Sequence, residues 1–395
     1  MQRFLAAVAV ITAAGFLQAA YAAEGTPVAD EIPTFKYDPD WPRQLPNAWM
    51  TGNIGAVYID MNDHIWIAQR PGSTTGLSER YALNGSGECC APAPPVLEFD
   101  TAGNLIQFWG PVHTRDDATK KQVLIGKQYP GPTYEDGVWP GSEHGIAGDA
   151  QGNIWVTGSG PSTLIKLAHD GKLLLRIGAE DAKSGVDKDK LAGPAGVTVD
   201  DKANEVYVSD GYVNRRVVVF DATTGKFKRH WGAYGKPPTD VQWKSAETGP
   251  DLKSQNQHLT VAHCVVISKD GLVYVCDRAN SRVQLFQKSG KFVKELFIDP
   301  KATGFGTVYA MAFSADPEQK YLYVGNGSDR KIHILRRSDM KMLGSFGTGV
   351  REGGRFMLIH TMATDSKGNL YVGETIDNNR IQRFNFTGLK PVAAK

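Results

Sequence analysis

Short apolar runs, each broken by a turn of Asp, Gly or Asn residues, recur along the chain in one frame. The fullest copy is residues 261–286, VAHCVVISKDGLVYVCDRANSRVQLF, which predicts two strands joined by a Lys269-Asp270-Gly271 turn and followed by a third. The same frame returns at 54–68, 144–157, 195–210, 309–326 and 360–374. Aligned on the aromatic of the second strand, the copies place Trp66, Trp155, Tyr207, Tyr274, Tyr323 and Tyr371 in register, at separations of 89, 52, 67, 49 and 48 residues. The underlying period is near 50. Four-stranded propeller blades need roughly 40–50 residues each, so the expected fold is all-β: a six-bladed β-propeller with long inserted loops.

The last copy ends at Arg380-Ile-Gln-Arg-Phe-Asn385 and is one strand short, whereas residues 32–37 form a strand candidate lying before the first copy. Pairing that strand into the last blade would join the ends of the ring and remove its open edges. Three insertions stand out, at 71–95, 111–142 and 234–257. The first two are rich in Gly and Pro and carry Tyr81, Tyr129, Tyr134 and Trp139. They read either as solvated surface loops or as lids over one face of the ring.

Residues 1–22 run from Arg3 through FLAAVAVITAAGFL to Ala20-Tyr21-Ala22, the layout of a secretory signal peptide. The apolar stretch is shorter than the roughly 20 residues of a membrane span, so no stable membrane insertion is expected. The mature chain, 23–395, is expected to be exported, periplasmic or secreted, and to form a single monomeric propeller domain. The 44 basic and 42 acidic residues of the full 395-residue sequence are mixed along it for a net charge of +2, which recommends neither nucleic acid nor a membrane surface as partner. Four cysteines do not make a disulfide scaffold. Export would expose them to oxidising conditions, and three states are open to Cys89 and Cys90: a bridge between neighbours, pairing with Cys264 or Cys276, or free thiols.

Placed on the repeat frame, His144, His263 and His360 each lie 11 residues before the strand aromatic of their own copy, in copies two, four and six. Copies one, three and five carry Gly55, Ala195 and Tyr309 there. A single histidine on an inner strand reads as a satisfied core residue. Three in phase on alternate blades would aim at the central channel from directions a third of a turn apart, the arrangement of a three-imidazole metal site with an open fourth position. Zinc is the expected ion, although three imidazoles accommodate other divalent metals. Arg70 and Arg278 each lie four residues after the strand aromatic, at the outward connection to the next strand, and are suited to capture a carboxylate. Tyr212, at nearly the same place in copy three, is a candidate base.

The segments His144-Gly-Ile, Ser209-Asp-Gly-Tyr-Val-Asn-Arg215, Val261-Ala-His-Cys, Cys276-Asp-Arg-Ala-Asn-Ser-Arg-Val-Gln284 and Ile359-His resemble the NHL-repeat propeller of peptidyl-α-hydroxyglycine α-amidating lyase, over about residues 52–387. The resemblance implies His144, His263 and His360 as zinc ligands, Tyr212 as base, and Arg70 and Arg278 as substrate arginines. It also implies a structural calcium held through the carbonyls of Val57 and Ile146. The chain departs from the family in having Thr361 where an aspartate helps hold that calcium. Glu143, Ala262 and Ile359 stand where prolines usually precede the histidines. The expected activity is C–N cleavage of an α-hydroxyglycine-like substrate, which would be a small molecule or peptide bearing a carboxylate, with release of glyoxylate. The competing readings are a non-catalytic NHL propeller that binds a protein or glycan, and a propeller hydrolase or lactonase.

Overall fold

Six antiparallel four-stranded sheets surround one axis, and each begins with a strand that lines the central channel. The computed structural model describes residues 30–73, 90–110, 113–115, 122–124, 139–178, 180–240, 257–302, 304–376 and 378–392. The channel strands are Asn53–Ile59, Ser142–Gly148, Pro194–Asp200, Ala262–Ile267, Val308–Phe313 and Ile359–Thr364, in blades one to six. The expected six-bladed all-β propeller is therefore the observed fold.

Ring closure follows the expected route. Glu31–Asp38 pairs antiparallel with Ile381–Pro391 as the outermost strand of blade six, from Glu31 opposite Pro391 to Asp38 opposite Arg383. The pairing needs this sequence because Ile32 and Phe35 are apolar and face inward. Ile32 is buried with Ile334, Ile359 and Phe384, and Phe35 stacks on Phe346 at 5.3 Å. Charge ties the outer side: Arg383 donates through Nε to Asp38 at 3.0 Å, and Lys341 pairs with Asp30 at 2.9 Å.

The core lies between neighbouring blades rather than in one central mass. Trp66 and Trp109 of blade one, for example, pack with Ile146, Val156 and Ile165 of blade two. All six repeat aromatics, from Trp66 to Tyr371, are 2% exposed or less, so the frame read from the sequence is the frame of the core. Each such side chain removes about 150–250 Å² from water. Six inter-blade clusters of this kind supply the main apolar stabilisation.

Cys264 and Cys276 face each other across the first two strands of blade four and form a disulfide, with Cα atoms 4.9 Å apart. Cys90 is also disulfide-bonded, which settles against free thiols for these three. Cys89 lies outside the described residues, as do the leader at 1–22 and most of the insertions at 71–95, 111–142 and 234–257. Among the described residues no helix is long and apolar enough to cross a membrane.

Removing residues 30–38 should unzip blade six and leave Ile334, Ile359 and Phe384 facing water. A thermal melt of the truncated protein should lie more than about 5 °C below the full chain, and an unchanged melt would count against closure by this strand.

Candidate metal centre

In every blade the channel strand is irregular at the same place. The pairing register slips between Ile54 and Ala56, Glu143 and Gly145, Pro194 and Val197, Ala262 and Cys264, Val308 and Ala310, and Ile359 and Thr361. The residue at the slip is Gly55, His144, His263, Tyr309 or His360, with Ala195 and Gly196 in blade three. A bulge of this kind turns one side chain out of the sheet, and here it turns the histidines toward the axis. Gly55 is required by crowding: a Cβ there would sit 2.4 Å from the Glu143 carbonyl oxygen.

The three imidazoles form a nearly equilateral triangle, with ring centroids 4.6–4.7 Å apart. One nitrogen of each lies within 4.8 Å of the others. His263 Nδ1 donates to the Tyr309 carbonyl at 2.6 Å and His360 Nδ1 to the Gly55 carbonyl at 2.9 Å. Those bonds fix the tautomer, so each Nε2 carries a lone pair into the channel. Burial holds all three histidines well below the usual range, and the neighbouring histidines or the Arg70 and Arg278 guanidiniums lower them further. They are neutral near pH 7.

Two neutral Nε2 atoms, of His263 and His360, face each other at 3.2 Å. Neither has a proton to offer the other, so this contact is repulsive unless a cation lies between them. Three converging, buried neutral imidazoles, two of them tied behind to carbonyls, fit a divalent metal with imidazole preference.

The predicted partners surround this triangle. The Tyr212 hydroxyl is 2.9 Å from His144 Nε2 and accepts from Arg278 Nη1 at 3.0 Å. Arg70, at the end of strand Ile65–Arg70, donates through Nε to the Glu143 carbonyl at 2.8 Å, and burial lowers its pKa. Its remaining guanidinium edge is thus in a poorly hydrated setting, where a carboxylate is bound more strongly than in water. All six predicted site residues are brought together at one end of the channel.

Their placement depends on buried ion pairs. Asp210, closing the second strand of blade three, takes Arg216 Nε at 2.9 Å, Asn214 at 2.7 Å and the Ala192 amide at 2.9 Å. The turn between them carries Tyr212. In blade four Asp277 repeats this with Arg282 at 2.6 Å, Asn280 and the Thr260 amide, and Arg278 follows it. Both arginines and both aspartates are fully buried.

Three contributors were not evident from the sequence. Trp139 donates to Glu143 Oε1 at 2.6 Å and so braces the residue whose carbonyl orients Arg70. Tyr309 lies 4.9 Å beneath the Arg278 guanidinium, while burial raises its hydroxyl pKa, which makes it a wall rather than a base. The Cys264–Cys276 bridge ties the strand bearing His263 to the strand leading to Arg278. The spacing of Cys264 and Cys276 around a short turn was the available signal for the last. Val57 and Ile146 line the channel next to the histidines. There the Thr361 hydroxyl accepts the Val57 amide at 3.1 Å, and the channel wall on the histidine side has no acidic side chain among the described residues.

The NHL repeat model matches residues 191–220 and 259–286. The chain is 28% identical over 245 residues to peptidyl-glycine alpha-amidating monooxygenase B of Xenopus laevis, covering 60% of this chain and 25% of that protein. It spans about a quarter of the length of such relatives. Similarity to the probable peptidyl-alpha-hydroxyglycine alpha-amidating lyase of Caenorhabditis elegans is 25% over 240 residues, 58% of this chain and 60% of that one. NHL repeat-containing protein 3 of Mus musculus is 25% identical over 368 residues, 90% of this chain and 85% of that one. A streptogramin B lyase structure superposes with a TM-score of 0.51 at 13% identity, covering 90% of this chain and 98% of the other, which shows the propeller fold alone. The chain is thus a six-bladed propeller with two stretches that match the NHL repeat model and distant sequence similarity to amidating enzymes.

Replacing His144, His263 or His360 singly with Ala should abolish retention of the channel metal through dialysis, as read by elemental analysis, while the folded circular-dichroism signal persists. Full metal content in all three variants would place the ion elsewhere.

Proposed function

We propose that this protein is an exported, metal-dependent carbon–nitrogen lyase acting on an α-hydroxyglycine-type group, R–CO–NH–CH(OH)–COO⁻. The observation that carries the reading is the convergence of three neutral imidazoles, one tyrosine hydroxyl and two arginines on one end of the channel. The partial similarity to amidating enzymes supports it. Export rests on the leader-like residues 1–22 and on the Cys264–Cys276 bridge, which suits an oxidising compartment.

His144, His263 and His360 would hold the ion, with zinc best suited to the donor set. When bound, it supplies Lewis acidity toward the substrate hydroxyl or carboxylate. Arg70 and Arg278 bind the carboxylate and set the α-carbon beside Tyr212. The Tyr212 oxygen takes the hydroxyl proton, the C–O bond becomes a carbonyl, and the C–N electron pair leaves with the amide nitrogen. Returning the proton to that nitrogen balances the step and yields the amide R–CO–NH₂ and glyoxylate. Arg278, already donating to the Tyr212 oxygen, faces the negative charge that this oxygen carries before it takes the proton and again after it returns it.

A non-catalytic NHL propeller is the second reading, favoured by the similarity to NHL repeat-containing protein 3 along most of the chain. A small substrate such as α-hydroxyhippurate separates the two. Tyr212→Phe should keep the metal and lower kcat by about two to four orders of magnitude, the usual share of general-base catalysis. Arg70→Ala should chiefly raise KM, and Arg278→Ala should lower kcat as well. No glyoxylate from metal-loaded wild-type protein would favour the binding module, and turnover indifferent to Tyr212→Phe would remove the base.

A further inference from the structure

At the opposite face of blade one a second group of metal-ligating side chains comes together. Strand Asn53–Ile59 carries Gly55 beside the histidine triangle and ends at Asp60, about 16 Å further along at 3.3 Å per residue. Asp60 opens the turn to the next strand, His64 closes it, and Glu98 comes from the third strand, Val96–Phe99. His169, from the outer turn of blade two, reaches the same carboxylate.

His64 Nδ1 is 2.8 Å from Glu98 Oε1 and 4.0 Å from Asp60 Oδ2, and His169 Nε2 is 3.8 Å from the same Glu98 oxygen. The outward atoms are braced from behind. Glu98 Oε2 accepts Gln107 Nε2 at 2.6 Å, and Asp60 Oδ2 accepts Trp66 Nε1 at 3.1 Å. The His169 ring stands edge-on to Trp66 at 5.5 Å. Such outer bonds are what orients metal ligands.

The repeat shows what is unusual here. The third-strand residue opposite the core aromatic is Lys166 in blade two and Arg383 in blade six. Lys166 neutralises the turn aspartate Asp149 at 2.9 Å, and Arg383 bonds Asp38. In blade one that position is Glu98, opposite Trp66. Blades three, four and five carry the apolar Val219, Leu285 and Ile334 there, so blade one alone places an acid at this position, beside a second acid. The Glu98 side chain is only 2% exposed and that of Asp60 12%. Among the described residues no lysine or arginine pairs with either, and histidines are their only ion-pair partners. Two largely buried carboxylates require a compensating cation.

We infer that Asp60, His64, Glu98 and His169 form a second divalent-metal site, of the zinc or cobalt class, on the face opposite the histidine triangle. Two imidazole nitrogens and two carboxylate oxygens are a borderline donor set that favours such ions over calcium or magnesium. The ion would take the place of the 2.8 Å contact between His64 Nδ1 and Glu98 Oε1. Because His169 belongs to blade two, the ion would clasp two adjacent blades at their exposed rim. The inference is independent of the lyase reading.

Cobalt(II) titration of the chelator-stripped full chain, followed by visible absorption and elemental analysis, tests it. Wild type should bind two equivalents and the His64→Ala/His169→Ala double variant one, with α-hydroxyhippurate turnover unchanged. His263→Ala should keep one equivalent, lost when the double change is added. Glu98→Gln, which preserves the side-chain shape, should weaken the second site at least tenfold and serves if the double variant does not fold. A cobalt stoichiometry that is the same in wild type, His64→Ala/His169→Ala and Glu98→Gln would overturn the site.

Discussion

The narrowness of the axis governs this molecule. Six channel strands meet around it, and close backbone approach leaves room for hydrogen atoms at some positions and for flat rings at others, as Gly55 and the 4.6–4.7 Å histidine triangle show. Side chains enter this space only where a bulge turns them inward. Three imidazoles placed there lose water, stay neutral and direct nitrogen lone pairs at one another. The same crowding that packs the ring thus makes a region lined by imidazole nitrogens and favourable to a cation.

Around that region, rigidity comes from groups that are costly to bury. The Asp210–Arg216 and Asp277–Arg282 pairs are fully enclosed, and each aspartate also binds an amide and an asparagine. Buried ion pairs often add little net stability, yet breaking one by removing a partner costs about 3–5 kcal/mol. Their effect here is geometric. They define the turns that present Tyr212 and Arg278, while Trp139, Glu143 and Arg70 form a comparable chain of contacts on the other side. The site is therefore preorganised by its supports, which suits chemistry that needs hydroxyl, carboxylate and base in fixed relation.

Much of this was legible in the residues. The spacing from Trp66 to Tyr371 disclosed six blades because each aromatic fills the same inter-blade position, and every one is buried as that position demands. The shared 11-residue offset of His144, His263 and His360 disclosed the triangle because a bulge recurs at a constant distance from the core aromatic. What stayed hidden depended on contacts across the sequence. Glu143 orients Arg70 through a carbonyl, which no side-chain pattern encodes. Cys264 and Cys276 pair because a short turn sets them opposite each other, although the sequence permitted other pairings. Asp60 and His64 carry no signal of their own in the sequence, because Glu98 and His169 come to them from another strand and another blade.

The union of Glu31–Asp38 with Ile381–Pro391 also sets an order of events. The first strand of the propeller has its partner only when nearly the whole chain has been made. Until then an apolar segment carrying Ile32 and Phe35 must travel unpaired, and blade six presents an open edge. Synthesis at about 5–20 residues per second makes that wait tens of seconds long. In that interval the segment is free to pair with another exposed strand edge, and the pairing with Ile381–Pro391 is what ends the exposure.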